Sequence, residues 1–190
     1  MRYANALKWM MPPIVVLALI ATLAGLWPAP GAPFAATTLR GEVGTINARG
    51  LYYWDTASSA AQMQANDLVM LVVGLPLLAI SSWLAFRGSL RGRLLLTGTL
   101  GFFLYTYMSM CNLTSYNALF LVYVALFTLS LYAFILSLMS FDLASLPGQF
   151  SERLPRKWIA GLMFLVAGFL GLAWLARILV PLLQNGTPAL

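Results

Sequence analysis

The chain has 190 residues, of which 61% are apolar and only 8% charged, with a mean hydropathy of +0.85. A soluble domain carries about 25% charged residues, so a soluble globular fold is excluded. The net charge of +6 comes from basic residues beside the ends of apolar runs rather than from a patch, which suits anionic headgroups and not nucleic acid.

Five apolar stretches begin near Ile14, Leu68, Leu94, Ala118 and Trp158. As helices of roughly 18–25 residues, each can cross a hydrocarbon core of about 30 Å. They predict an all-α integral membrane bundle, a single membrane domain over 1–190. Its helices fall at about 13–27, 67–86, 94–111, 117–139 and 157–183, with an extramembrane segment over 28–66.

In the first stretch, Trp9 and Trp27 mark the two interfaces, and Pro12-Pro13 is expected to open the helix, where amides lack intrahelical partners anyway. A basic start before an apolar run also describes a signal peptide, but Ala29-Pro30-Gly31 is a marginal cleavage site crowded by prolines, so a retained helix is expected. The run WPAPGAPFA reads as irregular. TTLRGEVGTI and ARGLYYWDT contain β-formers punctuated by glycine, giving either a small hairpin or a segment lying on the headgroups. SSAAQMQAND reads as a polar lead-in, with Ser58 or Ser59 as N-cap of helix two.

Gly74 and Pro76 predict a kink or loosened backbone in helix two. Helix four carries a stripe of Tyr116, Phe120, Tyr123, Phe127, Ser130, Phe134, Ser137 and Phe141, alternating steps of four and three, the seam of a left-handed helix pair. Helix three answers with Gly98, Gly101, Tyr105, Met108 and Asn112, its glycines admitting the phenyl rings opposite. Ala160, Gly161, Ala167, Gly168 and Gly171 give helix five a small-residue face. The aromatic residues Tyr105, Phe120, Tyr123, Phe127 and Phe134 form a candidate apolar groove for a bound lipid or quinone; the plainer reading is packing against neighbouring helices or lipid. No cofactor is otherwise expected.

Placing the N-terminus in the cytoplasm puts Arg2, Lys8, Arg87, Arg91, Arg93, Arg153, Arg156 and Lys157 inside and only Arg40 and Arg49 outside, so the positive-inside rule predicts N-in, C-out. Toward the outer side lie the candidate polar residues Asp55, Asp67, Asn112, Tyr116, Asn117 and Arg177. Arg177, inside helix five, is expected to snorkel outward or to pair with Asp67 or Asp55.

The chain has no histidine, which excludes bis-His haem, His-based metal sites and Ser-His or Cys-His catalysis, and its one cysteine excludes an internal disulfide framework. No nucleophile–base pair, HExxH, GxSxG or P-loop is present, so no catalytic residue is assigned. Met108 and Cys111 share a helix face and form a weak Cu(I) candidate through soft sulfur ligands; no other metal site is expected.

The segments ARGLYYWDTASSAAQMQANDLVMLVVGLPLL, RGRLLLTGTLGFFLYTYMSM and YNALFLVYVALFTLSLYAF together resemble a family of poorly characterised bacterial multi-pass membrane proteins. The resemblance runs from about Arg49 to Phe141, and GLY-x-x-D and DLV-x-L are its most specific parts. It implies a bacterial inner (cytoplasmic) membrane and a multi-helix bundle, and it carries no catalytic residue or cofactor. The expected function is that of a non-enzymatic accessory or scaffolding subunit of a larger membrane complex, with membrane lipid and other membrane subunits, or further copies of the chain, as partners. The alternatives are a small oligomeric transporter or channel, and a lipid- or quinone-binding membrane enzyme.

Overall fold

The computed structural model describes residues 3–37, 41, 43–151 and 154–184; Arg2, Arg40, Arg153 and the tail beyond Gln184 lie outside the described residues. The helices are α1 (Ala4–Leu26), α2 (Ala57–Phe86), α3 (Leu90–Leu113), α4 (Phe120–Met139) and α5 (Arg156–Leu183). All five are long and apolar enough to cross a membrane, the all-α architecture of a multi-pass helical membrane protein. The chain comprises two compact units, Met1–Asp142 and Leu143–Leu190, a division that the even succession of apolar runs does not announce.

In the first unit α2 packs on α3, α3 on α4, and α1 closes the ring against both α2 and α4. Each helix turns a narrow stripe inward. On α2 the buried positions are Ala60, Met63, Asp67, Met70, Gly74, Leu78, Ser81 and Ala85, steps of three and four that keep one face on the bundle axis. α1 contributes Leu7, Met11, Ile14, Ala18, Ala21 and Gly25, and α3 contributes Leu96, Leu100, Phe103, Tyr107 and Met110.

Between α1 and α2 a two-stranded antiparallel hairpin forms, β1 (Phe34–Thr37) with β2 (Val43–Ile46), pairing Phe34 with Ile46 and Thr37 with Val43. The first strand starts earlier than the β-former pattern suggests, at the end of the Pro-rich run. Three helix starts also differ from expectation. Pro12 and Pro13 lie inside α1, in its third turn, and free the carbonyls of Lys8 and Trp9 from the helical ladder. α2 starts at Ala57, about ten residues early, because Ala60 and Met63 already belong to its buried stripe; the N-cap is Thr56, whose Oγ1 accepts from the Ser59 amide at 3.2 Å. α3 starts at Leu90 behind an N-cap at Ser89, which accepts from the Gly92 amide.

The loosened backbone expected near Gly74 and Pro76 is a π turn over Met70–Gly74. Pro76 has no amide to offer the Val72 carbonyl, and the Leu75 amide donates five residues back to the Met70 carbonyl instead.

The seam of α4 is rotated from the aromatic stripe. Its buried residues are Tyr123, Leu126, Ser130, Ala133, Ser137 and Ser140, with Phe127 and Phe134 half-buried along the flank. The small residues narrow the gap to α3, so the rings pack beside the seam rather than in it. One ring is admitted as expected: a Cβ on Gly101 would stand 3.3 Å from the Phe134 ring.

At the basic end, Arg93 of α3 donates to the Ser140 carbonyl, lies 4.8 Å over the Phe141 ring, and so covers the C-terminus of α4. Thr97 and Ser137 share a hydrogen bond of 2.6 Å one turn deeper. In the second unit a short 3-10 turn, Pro147–Gln149, precedes α5.

Candidate functional site

The hairpin end of the first unit gathers the polar groups, and a compact loop over 47–56 positions them. Its backbone closes on itself: the Asn47 amide donates to the Asp55 carbonyl at 2.8 Å and the Ala48 amide to the Tyr53 carbonyl at 2.9 Å. The Asn47 side chain donates to the carbonyls of Arg49 and Tyr52. Gly50 supplies the left-handed turn (φ 56°) that the tight reversal requires, and Arg49 Nε donates to the Gly31 carbonyl at 2.7 Å, fixing the loop to the segment after α1.

The loop drives Tyr52 down into the bundle, where it is 1% exposed and donates to Asp67 Oδ2 at 2.6 Å. Burial first, and then the Asp67 carboxylate, push the Tyr52 hydroxyl up above its ordinary value of 10, so it remains a donor across the physiological range. Asp67 itself is 3% exposed on the inner face of α2. Opposite the pair, α1 offers Gly25: a Cβ there would fall 1.9 Å from Asp67 Oδ2 and 2.9 Å from the Tyr52 hydroxyl. Only the absence of a side chain lets the α1 backbone come so close.

Tyr107 of α3 and Tyr123 of α4 complete the surroundings. Their rings stack with centroids 6.5 Å apart and planes 23° from parallel. Tyr123 neighbours the Tyr52 hydroxyl, and both rings lie within the electrostatic reach of Asp67. The Tyr107 hydroxyl is buried without a hydrogen-bond partner among the described residues, while that of Tyr123 lies beside the Tyr52 hydroxyl and the Asn117 side chain.

Asp55 does a different job. Its Oδ1 accepts from the Ser115 amide at 2.9 Å, while the Ser115 hydroxyl donates to the Trp54 carbonyl at 3.1 Å, which fastens the loop to the α3–α4 turn. Burial pushes the Asp55 carboxyl up from its ordinary value of 3.8, and the hydrogen bonds from Ser115 pull the other way. Asn117 Oδ1 accepts from the Leu119 amide at 2.9 Å, just ahead of α4.

The remaining candidates are elsewhere. Asn112 is exposed and donates back to the Met108 carbonyl of its own helix. Tyr116 is 77% exposed and packs on Phe120, with centroids 5.5 Å apart. Tyr105, at 65% exposure, faces away from the buried stripe of α3, so it does not join Tyr123, Phe127 and Phe134 in one groove. The apolar groove that the structure does form has a volume of about 330 Å³ and lies between α2 and α3, lined by Val69, Val73, Gly74, Leu94, Gly98 and Phe102 among others. Met108 is exposed and Cys111 half-buried, and no group of three or more His, Cys, Asp or Glu gathers among the described residues. Arg177 belongs to the second unit, where its guanidinium lies 5.7 Å over the Trp174 ring one turn earlier in α5.

The residues missed from the sequence are Tyr52, Tyr107 and Gly25. The stripe on α2 holds the signal that would have found them. Asp67 stands at an inward position between Met63 and Met70, so its partners must come from the loop and helices facing that stripe.

Comparison of the chain with protein-family models, curated proteins and solved structures gives no match. The fold and site define a multi-pass helical membrane protein with a buried carboxylate–tyrosine cluster at the hairpin end of its bundle.

Proposed function

We propose that the protein is a non-enzymatic accessory or scaffolding subunit of a larger membrane complex, resident in a bacterial cytoplasmic membrane with its N-terminus inside. One observation carries the reading: the two carboxylates and Asn117 are engaged in holding the hairpin end together. Asp55 accepts from the α3–α4 turn, Asn117 accepts ahead of α4, and Asp67 is sealed beneath Tyr52 against the α1 backbone. The groove beside Gly74 is lined by apolar residues with the single exception of Thr99, and Asp67 is not among them. A protein organised this way works through its apolar exterior and its loops, as a packing partner does.

The distribution of Lys and Arg supports the orientation, and the family resemblance supports the bacterial membrane. The two most specific segments of that resemblance, 50–55 and 67–71, contain Tyr52, Asp55 and Asp67, which the fold uses to assemble the hairpin end.

The test is purification from native membrane in mild detergent, followed by native mass spectrometry. Stoichiometric membrane subunits of other sequence are expected. A homo-oligomer that conducts a solute in liposomes would replace this reading with a transporter, and a monomer retaining a lipid or quinone would replace it with a lipid- or quinone-binding protein.

A further inference from the structure

We propose that the groove between α2 and α3 holds one acyl chain of an anionic phospholipid, with Arg91 meeting its headgroup. The groove has a volume of about 330 Å³, at the small end of ligand-binding clefts. It is walled by α2 from Val69 to Leu77 and by α3 from Leu94 to Phe102. Two glycines shape it. Gly74 lets the Phe102 ring approach α2, since a Cβ there would fall 3.2 Å from that ring. A Cβ on Gly98 would meet nothing within 4 Å, so this glycine faces the open space.

Three observations choose the occupant. The first is chemistry. The one polar side chain in the lining, Thr99, is turned back on its own helix and donates to the Leu95 carbonyl at 2.8 Å. No side chain of the lining is left to hydrogen-bond a quinone or a polar solute, and the surface suits a hydrocarbon chain. The second is length. From Leu94 to Phe102 the wall runs about 12 Å along α3. That is close to the hydrocarbon depth of one leaflet, about 15 Å, whereas a packed transmembrane helix calls for a seam across the whole core of about 30 Å. The third is charge. Arg91 is exposed and lies one turn before Leu94 and Leu95, so helical spacing puts it on the groove side of α3, at the basic end. It has no hydrogen-bond or ion-pair partner among the described residues. Arg87, at the C-cap of α2, lies 4.0 Å over the ring of Trp83, a residue type that marks headgroup depth. An anionic headgroup at that depth supplies the charge that Arg91 lacks. Such a lipid can be held with or without partner subunits, so the site stands apart from the accessory role.

The test uses the full-length protein, delipidated in detergent and titrated with dioleoyl phosphatidylglycerol or dioleoyl phosphatidylcholine, with bound lipids counted by native mass spectrometry. One phosphatidylglycerol is expected to bind about fivefold more tightly than phosphatidylcholine, the preference that one basic residue confers near a headgroup. Gly98→Leu fills the groove and should weaken the first lipid of either kind by about tenfold or more. Arg91→Gln should bring phosphatidylglycerol down to the affinity of phosphatidylcholine, and this exposed change carries the test alone if Gly98→Leu does not fold. Gly161→Leu on α5, where a Cβ also meets nothing within 4 Å, should bind as the parent does. Equal affinity for the two lipids, a Gly98→Leu or Arg91→Gln protein that titrates like the parent, or an equal loss in Gly161→Leu would each overturn the site. So would a Gly98→Leu protein that keeps its lipid but loses a subunit retained by the parent on purification from native membrane, which would give the groove to a protein helix.

Discussion

Gly25→Ala is the sharpest probe of how the hairpin end is assembled. The added methyl would start 1.9 Å from Asp67 Oδ2 and 2.8 Å from its Cγ, about 1 Å short of the 3.0 Å that real Cβ contacts respect. Either α1 retreats from α2 or the carboxylate leaves Tyr52. Overpacking costs about 1–3 kcal/mol, and loss of a hydrogen bond to a charged group about 1.5–3 kcal/mol. The better helix propensity of alanine returns about 1 kcal/mol. The net expectation is destabilisation by about 0.5–2 kcal/mol, read as a shift in denaturant unfolding of the full-length protein in mixed micelles. Gly98→Ala is the control, since a Cβ there meets nothing within 4 Å; it should change stability by less than about 1 kcal/mol. Combining Gly25→Ala with Asp67→Ala removes the two nearest clashing atoms and leaves only the Tyr52 hydroxyl at 2.9 Å, so the glycine substitution should then cost less than in the parent. If Gly25→Ala matches the control, or if the two substitutions add, α1 is not seated on the carboxylate.

Three further expectations address other parts of the chain. Asp55 titrates above its ordinary value of 3.8, so folding takes up a proton between the unfolded and folded values; stability therefore falls as pH rises through that window. Asp55→Asn keeps the acceptor for the Ser115 amide and should flatten this fall in an unfolding-versus-pH series, and an unchanged slope would contradict the assignment. Replacing Arg93 by Gln removes the charge over Phe141 and weakens the grip on the Ser140 carbonyl; the loss should be about 1–3 kcal/mol by denaturant unfolding, and an unaltered midpoint would show that the C-terminus of α4 needs no such cover. In a Cys111→Ser background, Gly44→Cys should react with a membrane-impermeant maleimide on intact cells and Gln149→Cys should not; the opposite pattern would reverse the proposed orientation.

The five spans were legible because hydrocarbon thickness fixes helix length, and the break in α2 was legible because Pro76 has no amide. The rotation of α3 and α4 was not. A helix that is apolar all round carries no amphipathic signal, and the aromatic stripe of α4 competes with a stripe of serine and alanine one step away. On α4 small residues take the buried position because they let the helices approach, whereas on α3 the buried stripe is bulky, with Leu100, Phe103, Tyr107 and Met110, and Tyr105 and Met108 lie outside it. At the site, Asp55 and Asp67 were visible as charges near the ends of apolar runs, but Tyr52 was not, because its burial depends on a loop folded by Asn47 and two left-handed residues, Ala48 and Gly50. No periodicity extends across such a loop.

The two ends of the bundle handle charge in opposite ways. Arg93 is accounted for locally: it meets the carbonyl end of α4, where the helix dipole favours a cation, and an aromatic ring shields it. Asp55 binds a backbone amide in a turn through Oδ1, while its Oδ2 is buried without a partner among the described residues. Asp67 lies about three turns inside α2, beyond the reach of the dipole at the N-terminus, and receives a single hydrogen bond from a phenol. A neutral asparagine could also accept that bond, though more weakly than a carboxylate. Asp67→Asn therefore removes a buried charge while keeping an acceptor for Tyr52, and it should cost less stability than Asp67→Ala in denaturant unfolding; an equal loss would mean that the phenol bond contributes nothing.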